Sequence, residues 1–70
     1  MGSKINFAES LYKTRKEHNL TQTKLSRLTG IKQQNISRWE AGKNLPNIEE
    51  CVHLADFFGL SLDEFIGREI

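Results

Sequence analysis

Two side-chain amides in succession, Gln33-Gln34, are followed four residues later by the guanidinium of Arg38, with Lys32, Asn35 and Ser37 interspersed. A carboxamide donates and accepts in one plane, and a guanidinium donates in a rigid fork. Aligned on one surface, such groups do recognition chemistry: they match a partner that presents ordered donors and acceptors. They do not make or break bonds. Elsewhere the chain has no nucleophile–base pair, carboxylate dyad or metal cluster that would converge on a pocket, so an enzyme is not expected. The histidines, His18 and His53, are far apart and lack metal-ligand spacing, so neither a metal nor a cofactor is expected. Glutamines on an exposed helix are otherwise ordinary solubilising residues. What they mean here depends on the elements that hold them.

Seventy residues make one domain at most. Cys51 is the single cysteine, so no intrachain disulfide can brace the fold, and its core must come from helix packing alone. Alternation of apolar and polar residues never persists, whereas helix punctuation recurs. Asn6 and Glu9 have the spacing of a capping pair opening helix 1, with Phe7, Leu11 and Thr14 on one face. That helix should stop near His18-Asn19. Thr21 caps helix 2, which carries Leu25 and Leu28 and ends at Gly30. Helix 3 is expected over about Lys32–Ala41, with Ile36 and Trp39 inward and Gly42 as its stop. Asn47 and Glu50 open helix 4, where Cys51, Leu54, Ala55 and Phe58 form an amphipathic stripe ended by Gly59. Ser61 and Glu64 open a short helix 5 with Leu62, Phe65 and Ile66. The expected fold class is all-α, five short helices in a compact bundle. Residues 1–5 are expected to be a leader, with Gly2-Ser3 as a remnant of an expression vector, and residues 68–70 a tail around a domain at 6–67.

Net charge is only +1, but the distribution is uneven. Between Lys24 and Lys43 five bases (Lys24, Arg27, Lys32, Arg38, Lys43) face one acid, Glu40. From Asn44 onward six acids face one base, Arg68. The basic centre suits a footprint on phosphate. The acidic end reads as solvated helix face. No apolar run approaches a membrane span, the first residues lack a signal-peptide stretch, and a lone cysteine suits a reducing compartment; a cytoplasmic location is expected.

Two helices crossing near a right angle need a short turn with glycine, small residues where backbones approach, and apolar anchors on both helices. Leu25, Ser26, Gly30-Ile31, Ile36 and Trp39 supply these. Together with Leu20-Thr21-Gln22, Ile36-Ser37-Arg38-Trp39-Glu40 and Leu60-Ser61-Leu62-Asp63-Glu64-Phe65, they resemble the phage repressor and Cro-type (xenobiotic-response-element) helix-turn-helix family over roughly Phe7 to Ile66. The resemblance implies a lambda-repressor-like domain whose third helix enters the major groove of double-stranded DNA. With Ile36 inward and 100° per residue, Gln34 and Arg38 point nearly opposite, Ser37 and Asn35 flank them, and Gln33 projects at the first turn. In this setting Gln33, Gln34, Ser37, Arg38 and Lys32 are candidate base contacts: a glutamine amide matches adenine N6 and N7, and arginine matches guanine O6 and N7.

The resemblance further implies phosphate contacts by Gln22, at the start of helix 2, and by Asn35, Lys43 and Asn44. Lys32 can equally touch backbone, and Lys24 and Arg27 can be plain solvated charge. It also implies that Arg15 pairs with Glu40, whose carboxylate would otherwise lie costly and alone on the inner half of helix 3. Trp39 belongs in the core, Cys51 is expected to be a buried small hydrophobe, and His53 should lie at the surface. The chain departs from the family pattern at Lys32, where a Ser or Thr cap is usual, at Thr14, which replaces an apolar residue, and at Lys24, where Glu is frequent. A transcriptional regulator, commonly a repressor, acting as a homodimer on a palindromic operator is the expected function, with an apolar partner surface drawn from Phe57, Leu60, Phe65 and Ile70. The alternative is an antitoxin or protein-interaction module on the same fold, with the acidic half facing a basic partner.

Overall fold

A computed structural model describes residues 7–66. Five helices follow one another: α1 (Phe7–Glu17), α2 (Gln22–Thr29), α3 (Gln33–Glu40), α4 (Ile48–Phe58) and α5 (Leu62–Ile66). The Asn6 cap, the leader at 1–5, the tail at 68–70 and Ile70 lie outside the described residues.

Local chemistry explains where each helix starts and stops. Asn19 ends the α1 region in the left-handed conformation, at φ 57°. The Thr21 hydroxyl accepts from the Lys24 amide and opens α2. Gly30 closes α2 at φ 79°, a conformation that costs L-residues about 1–2 kcal/mol. At α4, the Asn47 side chain accepts from the Glu50 amide while Glu50 accepts from the Asn47 amide, a complete capping box. Ser61 and Glu64 repeat the exchange at α5. Donation from the Ser61 backbone amide, with a further contribution from the Ser61 hydroxyl, holds the Glu64 pKa below the usual carboxylate range.

The core is built from all five helices: Phe7 and Leu11 of α1, Leu25 of α2, Ile36 and Trp39 of α3, Leu54, Ala55 and Phe58 of α4, and Phe65 of α5. Each fully buried large side chain contributes about 1.5–3 kcal/mol relative to exposure. Phe7 stands edge-on to Trp39 and to Phe65, with ring centroids 6.3 and 5.3 Å apart, so the two ends of the chain close on the middle. The Ser10 hydroxyl donates to the Phe65 carbonyl and pins α5 to α1. Thr14 is buried, and among the described residues no buried side-chain nitrogen or oxygen lacks a hydrogen-bond partner, so the departure from an apolar residue at this position is accommodated.

Two expectations need correction. Phe65 is not a partner surface: it is completely buried, because α5 lies across α1 and turns its aromatic ring inward. On α2 Leu25 is buried and Leu28 is half exposed. Cys51 is half-buried at the rim of the stripe rather than fully enclosed, and the burial it has pushes its thiol pKa up. Among the described residues no helix is long and apolar enough to cross a membrane, and no cluster of His, Cys, Asp or Glu could hold a metal ion.

Candidate nucleic-acid interface

The rotation of α3 about its axis decides which side chains reach outward, and two core anchors set it. Ile36 is fully buried and Trp39 nearly so. Their spacing leaves Gln33, Gln34, Ser37 and Arg38 exposed, and these four line one shallow surface concavity. Four of the five candidate base contacts thus share one ridge. Lys32, the fifth, is exposed at the N-cap with extended backbone (φ −61°, ψ 136°) and makes no side-chain capping bond. Absence of a capping oxygen there costs about 1 kcal/mol, but it leaves the lysine side chain unengaged at the end of the ridge. Asn35 is half-buried on the flank. Lys43 and Asn44 are exposed in the loop after α3. That loop leaves the helix through Gly42 at φ 73° and is tied back by the Lys43 amide to the Arg38 carbonyl at 3.0 Å.

The tilt of α3 is held from behind. Arg15 Nε donates to Glu40 Oε2 at 2.7 Å and Nη2 to Oε1 at 2.9 Å, a two-pronged ion pair. The hydrogen bond to Glu40 raises the Arg15 pKa above its ordinary value, against the opposing effect of burial. Arg15 Nη1 also donates to the Leu20 carbonyl at 2.8 Å. Gln22 Nε2 donates to Glu40 Oε1 at 3.0 Å. One carboxylate therefore links α1, α3 and the first residue of α2. Gln22, expected at phosphate, is anchored through one amide hydrogen to Glu40, and its second amide hydrogen has no recorded acceptor.

Across the turn, the Ser26 hydroxyl donates to the Ile31 carbonyl and the Thr29 hydroxyl accepts from the Ile31 amide at 3.2 Å. These bonds fix how α2 hands over to α3. The Thr23 hydroxyl of α2 donates to Gln33 Oε1 at 3.1 Å. Thr23 was absent from the expected site. It stands ten residues before Gln33, and only the crossing of α2 and α3 brings the two together; no local spacing marks it. Leu45, Ile48 and Val52 are a second omission. Leu45 is exposed within the loop and Ile48 and Val52 on α4 just beyond it, and the i, i+4 pair 48 and 52 off the main α4 stripe was the available sign. His53 is exposed as expected, with Nε2 2.8 Å from the Thr29 carbonyl.

The sequence pattern of helix-turn-helix domains matches residues 11–65. The chain belongs to the helix-turn-helix family. Among curated relatives, this helix-turn-helix chain is 35% identical over 65 residues to the HTH-type transcriptional activator BcrR of Enterococcus faecalis, covering 93% of this chain and 32% of the relative. It is 37% identical over 64 residues to the cryptic phage CTXphi transcriptional repressor RstR of Vibrio cholerae, covering 91% of this chain and 57% of that one. The chain therefore spans about a third to somewhat over half of these relatives' lengths. A crystal structure of a transcriptional regulator from Listeria innocua superposes with a TM-score of 0.82 at 33% identity, over 91% of this chain and 60% of that one. The five helices, with no strand among the described residues, and the repressor-type resemblance agree with these helix-turn-helix neighbours.

Proposed function

We propose that this helix-turn-helix domain binds double-stranded DNA sequence-specifically, with α3 in the major groove, as the reading head of a transcriptional regulator. The observation that carries the reading is the split of α3: Ile36 and Trp39 lock one side to the core while Gln33, Gln34, Ser37 and Arg38 are exposed on the other. An α-helix fits the major groove, where each base pair shows a distinct pattern of donors and acceptors. Lys32 extends the ridge, and Gln22, Asn35, Lys43 and Asn44 grip phosphate to either side. Relatives that are transcriptional activators and repressors support a regulatory role. Regulation of this kind takes place in the prokaryotic cytoplasm, where the chromosome is.

The domain acts as a homodimer on a two-fold operator with half-sites about one helical turn, ~34 Å, apart. Exposed Leu45, Ile48 and Val52 support this pairing, since they present apolar surface at the end of the phosphate-gripping loop and the start of α4. Phe57 is exposed and meets Phe58 edge-on, with ring centroids 5.1 Å apart. Selection of bound duplexes from a random library tests the proposal. A recovered motif with two-fold symmetry is expected; absence of any enriched motif overturns sequence-specific binding. Light scattering on the selected complex should give two protein chains per site, and one chain per site rejects the homodimer.

A further inference from the structure

Thr23 points to a rule for what Gln33 can read. Gln33 is the first residue of α3, and N-terminal residues of a recognition helix are the ones that meet base edges. A free glutamine amide offers a carbonyl acceptor and an NH2 donor side by side, which suits adenine, where donor N6 neighbours acceptor N7. Here the carbonyl is engaged: the Thr23 hydroxyl donates to Gln33 Oε1 at 3.1 Å. Oxygen and nitrogen occupy opposite branches of a planar amide. Holding the oxygen back toward α2 therefore turns the NH2 outward. Neither amide hydrogen of Gln33 has a recorded acceptor in the domain.

We infer that Thr23 is a specificity-determining positioning residue: it presents Gln33 to the groove as a donor only, so that Gln33 selects guanine, whose O6 and N7 both accept, over adenine. The inference rests on α3 entering the major groove. Thr23 does not touch the base. It acts through the amide it orients, and the constraint matters most in the complex, where water that would otherwise solvate the carbonyl is displaced. To read adenine in two-pronged fashion Gln33 would have to rotate its carbonyl outward and break the bond to Thr23. In the complex that would leave the hydroxyl without its acceptor. Arg38, donor-only as well, favours the same base type.

The experiment is base-by-base binding on the selected duplex for wild type, Gln33→Ala, Thr23→Val and Thr23→Ser. Gln33→Ala identifies the base pair that Gln33 reads, as the position whose preference is lost. Wild type should prefer guanine over adenine there by on the order of tenfold. Thr23→Val keeps the side-chain shape, removes the hydroxyl and frees the carbonyl; preference at that one position should move toward adenine while other positions hold. Thr23→Ser should restore guanine. Adenine preference in wild type, or an unchanged preference in Thr23→Val with an unaltered melting curve, overturns the inference while leaving DNA binding intact. A preference indifferent to Gln33→Ala also overturns it. If no duplex is preferred at all, the proposed function itself fails. Should Thr23→Val melt early, Thr23→Ala with the same readout decides the question.

Discussion

Replacing Glu40 by alanine should destabilise the domain more than any change on its outer surface. The carboxylate and the Arg15 guanidinium are exposed by only 6% and 9% of their side-chain surface, so solvent screening does little to weaken their contact. Glu40→Ala removes both prongs at 2.7 and 2.9 Å and also the acceptor of Gln22 at 3.0 Å. The guanidinium left behind keeps one carbonyl partner, Leu20, and has no carboxylate to balance its charge. Breaking a buried pair from one side costs about 3–5 kcal/mol. A domain of this size has a total stability of roughly 4–10 kcal/mol, so the variant sits near the edge of folding. At about 4–8 °C per kcal/mol, even the low end of the cost lowers Tm by at least ~12 °C. Thermal melting followed by far-UV circular dichroism measures this directly. Arg15→Met combined with Glu40→Leu should recover much of the loss, because an apolar pair of similar volume leaves no buried charge. A Glu40→Ala melt within a few degrees of wild type would refute the view that this ion pair holds α3 to α1.

Other consequences are smaller. Lys32→Ser supplies the missing capping oxygen at α3 and should raise stability by about 1 kcal/mol, seen as a higher urea midpoint at constant slope. Gly30→Ala has free space for its methyl but must hold φ 79°, so a loss of about 1–2 kcal/mol is expected in the same urea assay. Glu64 has a lowered pKa from its bonds to Ser61. Its contribution is complete above the ordinary carboxylate range and is lost as pH falls through the lowered value. Melts of Glu64→Gln should therefore fall less steeply with acid than those of wild type.

Much of this molecule is legible from its residues because helix ends carry local chemistry. Thr21, Asn47 and Ser61 each cap the helix that follows, and Asn19, Gly30 and Gly59 adopt the left-handed conformation their types favour. The same periodicity that buries Ile36 and Trp39 predicts the exposed ridge of Gln34 and Arg38. Phe65 shows where such reasoning stops. A five-residue helix has too few positions to define a buried stripe, so whether its aromatic ring faces solvent is settled by α1 lying across it. On α2 the two leucines differ, Leu25 fully buried and Leu28 half exposed, and residue type alone does not separate them. The Thr23–Gln33 bond and the Gln22–Glu40 bond depend on how two helices cross, which no local pattern encodes. The Arg15–Glu40 pair is equally non-local, and it was expected only through the family resemblance.

The outward ridge of α3 as the DNA-reading surface is most directly tested by comparing affinity for a selected duplex with affinity for random duplex, for wild type and for the Gln34→Ala, Arg38→Ala double variant. Two base contacts of about 1–3 kcal/mol each predict that the ratio collapses by roughly thirtyfold or more, with the melting temperature little changed. A ratio that survives the double substitution in a folded protein would contradict the assignment of α3 as the reading helix.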